Sequence, residues 1–353
     1  MSIAVETRAL TKHYGSVRAL DGVDVTIRAG EYFVLLGPSG GGKTTLLRTI
    51  GGFHRPTSGQ VLLHGTDVSD QPPDKRPTGM VFQAYALFPH MTVAQNVGYG
   101  LRLAKLPSDQ IADKVATMLE TVGLDGLGNR KPHELSGGQQ QRVQLARALV
   151  LDRDILLLDE PLAALDAQLR KDMCLELKHL QEKVGITFIH VTHNQEEAMT
   201  VADRIALIAD GKLVEQGSAR EVYEAPNRRF TASFVGENNL LDGRITSVSG
   251  GIATVETGGG AISLPSIDTA SQGAKAAVSI RSELVALSTA EDAQISGTYV
   301  ESVYLGLTTS HRVALADGSQ ITARVVSGTG ATPEPGAPVH LSWPADAARL
   351  HID

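Results

Sequence analysis

Residues 32–50 read YFVLLGPSGGGKTTLLRTI. An apolar run of strand character enters a glycine-rich turn, and a helix-prone segment leaves it at Lys43. The spacing fits the phosphate-loop pattern, with a strand before it and a helix after it as the pattern requires. The chemistry follows from the residue types. Glycines let backbone N–H groups approach phosphate oxygens, and the helix N-terminus contributes its dipole. Lys43 adds a point charge, and Thr44 offers a hydroxyl to Mg²⁺. A chance lysine after a flexible turn would need neither flank.

Farther along, ILLLDEP at 155–161 is an apolar strand that ends in two acids. Asp159 is placed to hold Mg²⁺ directly or through water, and Glu160 to polarise an attacking water as general base. Two acids after a strand could also cap the next helix; downstream of a phosphate loop the catalytic reading fits better. Together the two motifs specify a phosphate-loop NTPase, a description shared by kinases, GTPases and helicases.

Around these motifs, strand-like segments alternate with helical ones up to about residue 238. The helical stretches include DQIADKVATMLETVGL (109–124) and the run from Ala167 to Val184. That alternation predicts an α/β domain over 1–238, with a mainly parallel sheet and a helical subdomain at 88–152. From 239 to 353 the texture becomes short alternating strands with Gly-rich turns, as in LDGRITSVSGGIATVETGGGAISLP (241–265), and predicts a small all-β, barrel-like domain.

Composition sets limits. The net charge is −7; residues 240–353 carry 6 Lys and Arg against 11 Asp and Glu, and the first 239 carry 26 against 28. Neither part has the basic excess of a nucleic-acid binder, so no nucleic-acid partner is expected. The single cysteine, Cys174, cannot form an internal bridge and suits a reducing compartment. No apolar run is long enough to span a bilayer, and the N-terminal MSIAVETRALTKHYG lacks the pattern of a secretory signal. His190 and His193 are three apart, but no Cys or third ligand accompanies them, so zinc is not expected.

One further motif narrows the class. LSGGQQQR at 135–142 opens the helix RVQLARALV, making a second phosphate-binding helix terminus in one chain. A single nucleotide does not need two. The economical reading is that this element closes on the nucleotide of a second copy. Ser136 and Gln139 also have capping-box spacing, which by itself would not explain the paired glycines.

With these motifs the chain resembles the ABC transporter ATPases over nearly its whole length. The resemblance implies that Gly37, Pro38, Ser39, Gly40, Gly41, Gly42, Lys43, Thr44 and Thr45 bind ATP. It implies that Tyr14 stacks on the adenine; a lone tyrosine is more often a packing residue, and only its place before the phosphate loop promotes it. Leu135, Ser136, Gly137, Gly138 and Gln139 would contact the partner's ATP, and Leu165 and Asp166 would cross the dimer interface. Gln83, Glu160 and His193 would be catalytic, with Thr44, Gln83 and Asp159 holding Mg²⁺.

Within the family, VFQAYALFPHMTVAQNV (81–97), the stretch 159–199 and YEAPNRRFTASFVGENN (223–239) resemble the ATPases of bacterial spermidine/putrescine importers. The 239–353 segment resembles their TOBE-type, OB-like domain, with Ser282 where relatives usually carry proline. The resemblance implies a head-to-tail homodimer on the cytoplasmic face of the membrane, bound to two permease subunits and served by an external substrate-binding protein. Ferric iron, phosphonate, thiamine, sugar and opine-like compounds are alternative cargoes, and a non-transport ATPase acting on nucleic acid is the remote alternative. The C-terminal domain would either strengthen the dimer or bind a regulator or ligand.

Overall fold

A computed structural model describes residues 2–83, 86–329 and 332–352. Ala84 and Tyr85, inside the quoted stretch that follows Gln83, lie outside the described residues. The chain divides into two compact units, Met1–Ala219 and Arg220–Asp353.

In the first unit the elements run β1 (Ile3–Tyr14), β2 (Val17–Arg28), β3 (Tyr32–Leu36), α1 (Lys43–Ile50), β4 (Ser58–Leu63), β5 (Thr66–Asp67) and β6 (Thr78–Val81). They continue with α2 (Val93–Val97), α3 (Tyr99–Leu103), α4 (Ser108–Thr121), α5 (Gly137–Leu149), β7 (Ile155–Asp159), α6 (Ala167–Val184), β8 (Thr187–Val191), α7 (Gln195–Val201), β9 (Arg204–Ala209) and β10 (Lys212–Ser218). Two sheets form. The order β10-β9-β3-β8-β7-β6 is parallel from β9 to β6, and β2-β1-β4-β5 is antiparallel. Strands β3, β7 and β8 are buried at every position, as expected of parallel strands covered on both faces. The core between the sheets joins Leu10, Leu20 and Val25 to Phe33, Leu35 and Leu157.

Helices α2 to α5 form a separate layer around Val97, Val115, Leu119, Val143 and Ala146. In α4, Ile111, Val115, Met118 and Leu119 recur at helical spacing and turn one apolar stripe inward. Among the described residues, no helix is long and apolar enough to cross a membrane.

The second unit starts earlier than the texture change at 239 suggests, because two short helices, α8 (Ala219–Glu224) and α9 (Arg229–Phe234), are tied into its sheets. The Arg281 guanidinium donates to the carbonyls of Tyr223 and Val235 and covers the Tyr223 ring at 4.0 Å. Asn238 also reaches back to the Ala232 carbonyl at 2.6 Å. The barrel-like texture is realised as two five-stranded antiparallel sheets sharing one core, which includes Ile245, Val278, Tyr299, Ile321 and Trp343.

Candidate functional site

Strand register brings the site together. Val81 on β6 pairs with Leu158 on β7, so Gln83 emerges beside Glu160. Asp159 pairs with Val191 on β8, and Glu160 N–H donates to the Val191 carbonyl at 3.1 Å, which puts His193 on Glu160's other side. Leu35 pairs with Val191, so the loop after β3 opens at the same strand ends. In an open parallel sheet this is where ligands bind.

The glycine loop is tight against its neighbours. A Cβ on Gly37 would lie 2.0 Å from the Ile208 carbonyl oxygen, and one on Gly42 2.5 Å from that of Ala19. Gly42 caps α1 with φ 107°, a conformation only glycine adopts freely. Lys43 is buried, and its ammonium donates to the carbonyls of Gly37 and Pro38 at 2.8 Å each. Burial pushes its pKa down, and the nearby Glu160 charge opposes that. Ser39 to Thr45, Glu160, Val17, Arg18, Ala19, Asp210 and Gly211 line a cavity of about 460 Å³.

At the cavity edge, Thr44 Oγ1 donates to Asp159 Oδ1 at 3.1 Å, and Arg48 contacts Asp159 Oδ2 at 3.1 Å. Glu160 sits at φ 46°, in the left-handed region that non-glycine residues seldom occupy. Its carboxylate is held from two sides: Gln83 Nε2 donates to Oε2 at 3.2 Å, and His193 Nδ1 lies 3.3 Å from Oε1. The loop carrying Gln83 is tied to α5, where Gln144 donates to the Phe82 carbonyl at 2.8 Å and Arg147 to that of Ala86 at 2.7 Å.

Behind His193 is a buried polar cluster. The His190 ring is fully buried, with Tyr32 Oη 3.1 Å from its Nδ1, and burial lowers its pKa to about 3. Thr192 Oγ1 donates to Glu197 Oε2 at 2.6 Å, and burial pushes the Glu197 carboxyl above its ordinary value while the Thr192 hydroxyl and Arg170 oppose it.

Three sets of expected residues stand apart from the cavity. Tyr14 is not among its lining residues; its ring meets His54 edge-on at 5.8 Å, with the Lys12 ammonium 4.9 Å from its centroid. Ser136 caps α5 in a complete capping box with Gln139, so the capping reading of this motif holds. Gly138, however, is not required by its own chain: a Cβ there would meet Leu169 Cδ1 at an ordinary 3.4 Å. Leu165 is buried, and Asp166 caps α6 by accepting from Leu169 N–H at 3.0 Å. Arg48, which the motifs do not single out, stands one turn beyond Thr44 on α1, a spacing that puts it on the same helix face.

Comparison with known proteins agrees with this architecture. The family model "ABC transporter" matches residues 20–163. The spermidine/putrescine import ATP-binding protein PotA of Nitrosomonas eutropha is 44% identical, covering 99% of both chains. The chain belongs to the ABC transporter ATP-binding proteins. A further relative in this family, the protein of the same name from Mesorhizobium japonicum, is 48% identical over 91% of this chain and 89% of its own. The "TOBE domain" model matches residues 278–350. Two solved ABC structures are similar in fold. One is cbiO1 from Clostridium perfringens, part of the transporter complex cbiONQ (TM-score 0.59, 31% identical, 63% of this chain and 91% of that one). The other is a dimeric ATP-binding cassette in a post-hydrolysis state with ADP and Pi (TM-score 0.54, 33% identical, 61% and 99%). As a member of this family the chain binds ATP and is an ATPase.

Proposed function

We propose that this ABC ATPase is the motor subunit of a bacterial importer for spermidine and putrescine. It works as a head-to-tail homodimer on two permease subunits at the cytoplasmic face of the membrane, with an external binding protein selecting the cargo. The observation that carries the motor reading is the Glu160 carboxylate, held between Gln83 and His193 at the rim of the glycine-loop cavity. In this role Lys43 and the loop from Gly37 to Thr45 hold the phosphates, Glu160 takes the proton of the attacking water, and His193 orients the attack. Thr44, Asp159 and Gln83 supply hard oxygen donors of the kind Mg²⁺ takes, and the 3.1 Å approach of Thr44 to Asp159 suits them to a shared ion. When bound, the ion would neutralise charge on the transferring phosphoryl group.

Support for a two-copy site comes from Gly138. That glycine follows the Ser136-capped start of α5, a second phosphate-binding helix terminus that takes no part in lining the glycine-loop cavity of its own chain. The cargo rests on the relatives' names and is tested by uptake. A cell lacking this chain is given labelled putrescine and spermidine beside iron and sugar controls. Loss of polyamine uptake, restored by wild type and not by Glu160→Gln, is the expected result. Unchanged polyamine uptake would move the cargo to another solute and leave the ATPase in place.

A further inference from the structure

His193 presents a paradox of support. Its side chain is 56% exposed, so packing does not hold it, yet it meets Glu160 at 3.3 Å. Its placement has to come through its backbone, and the neighbouring residues show how. Thr192 is buried; its N–H donates to the Leu35 carbonyl at 3.2 Å. Its hydroxyl oxygen accepts from Asn194 N–H at 2.9 Å and donates to Glu197 Oε2 at 2.6 Å. One hydroxyl thus fixes the chain on both sides of His193, and Glu197 fixes the hydroxyl.

The other Glu197 oxygen faces Arg170. Arg170 Nε lies 3.5 Å from Glu197 Oε1, with side-chain exposures of 28% and 6%. The far end of the same guanidinium donates to the Leu165 carbonyl at 2.7 Å. A small cavity of about 50 Å³ adjoins Glu160, Arg170, Thr192, His193 and Glu197, so the pair and the catalytic carboxylate share one enclosed space. The planar fork of arginine is suited to such a bridge, since its donors point in fixed directions.

We propose that Arg170 and Glu197 are positioning residues that link the Leu165–Asp166 loop to His193, so that the position of that loop sets the attitude of the histidine over Glu160. This rests on the roles given above to the loop and to His193. Movement of Leu165 shifts the guanidinium, the guanidinium shifts Glu197, and Glu197 re-aims the Thr192 hydroxyl that brackets His193. No bond is made or broken in the relay.

The test uses full-length chain with steady-state Mg-ATP hydrolysis and thermal unfolding measured on the same samples. Glu197→Gln keeps an acceptor for Thr192 but loses the ion pair; Arg170→Ala loses both of its links. Each is expected to lower kcat about tenfold while KM moves less than about twofold, because neither group lines the nucleotide cavity. In a His193→Ala background neither change should lower the residual rate by more than about twofold, since the route through the histidine is already cut. A further tenfold loss in that background would overturn the relay, as would a raised KM at full kcat. So would a loss in Arg170→Ala that merely tracks its unfolded fraction while Glu197→Gln turns over normally. Glu160→Gln runs alongside: if it turns over normally, the reading of the site falls with the relay. If it is inactive and the relay variants are normal, the relay alone falls.

Discussion

Gln83 and Glu160 stand 77 positions apart, and the amide of the first donates to the carboxylate of the second at 3.2 Å. Two parallel strands in register make that approach, and it sets the orientation of the group proposed to draw a proton from water. Glu160→Gln should keep nucleotide binding and lose hydrolysis by about 10²-fold or more, the range for removing a general base. Gln83→Ala leaves the base in place without one of its holders and should cost about tenfold in kcat. Phosphate release and equilibrium nucleotide binding, measured on both variants, separate the two effects.

Gly138→Ala is expected to split folding from function. The added methyl meets Leu169 at an ordinary distance inside a helix, so stability should hold or rise by up to about 1 kcal/mol. Turnover should fall about tenfold or more if the methyl's contact with Leu169 displaces the α5 start proposed to meet the partner's nucleotide. Chemical denaturation and ATPase assays on the same preparation check both halves.

Arg76 is 1% exposed and donates to the carbonyls of Thr49 and Ile50 at 2.8 and 2.7 Å, where α1 ends, and to that of Gln71 at 3.0 Å. Arg76→Met would fill the space and strand those carbonyls away from water. The expected cost is about 2–4 kcal/mol in denaturant unfolding. Catalysis per folded molecule should change little, since Arg76 does not line the cavity.

His190 makes stability depend on pH. Unfolded, its imidazole takes a proton near the ordinary histidine value of 6.5; folded, burial holds it down to about 3. Between those values the unfolded chain binds a proton that the folded chain refuses. This contribution is therefore whole above pH 6.5 and is lost as the pH falls toward 3, at up to about 1.4 kcal/mol per pH unit. Urea midpoints at pH 7.5, 6.0 and 5.0 should fall more steeply for wild type than for His190→Gln.

Local patterns were enough to read the glycine loop, the apolar strands β3, β7 and β8, and the long helices, because each announces itself over consecutive residues. What escaped such reading is long-range and side-chain specific. That Arg48 answers Asp159, and that Arg170 faces Glu197, depends on which face of a helix meets which strand end. The edge-on contact of Tyr14 with His54 and the approach of Lys12 to its ring are of the same long-range kind. The start of the second unit was hidden as well, since α8 and α9 look like an extension of the first and are captured by Arg281, some fifty residues on.

The tethers from Gln144 and Arg147 have a mechanical consequence. Helix α5 begins at the serine and glycines proposed to meet the nucleotide of a second copy and carries, along its flank, the loop that delivers Gln83 to its own Glu160. In the proposed homodimer it would act as one rod with a hand on each of two nucleotides. If docking or release at its tip tilts the rod by even a fraction of an ångström, Gln83 travels with it, and the two sites of a pair are geared to each other without any contact between their phosphates.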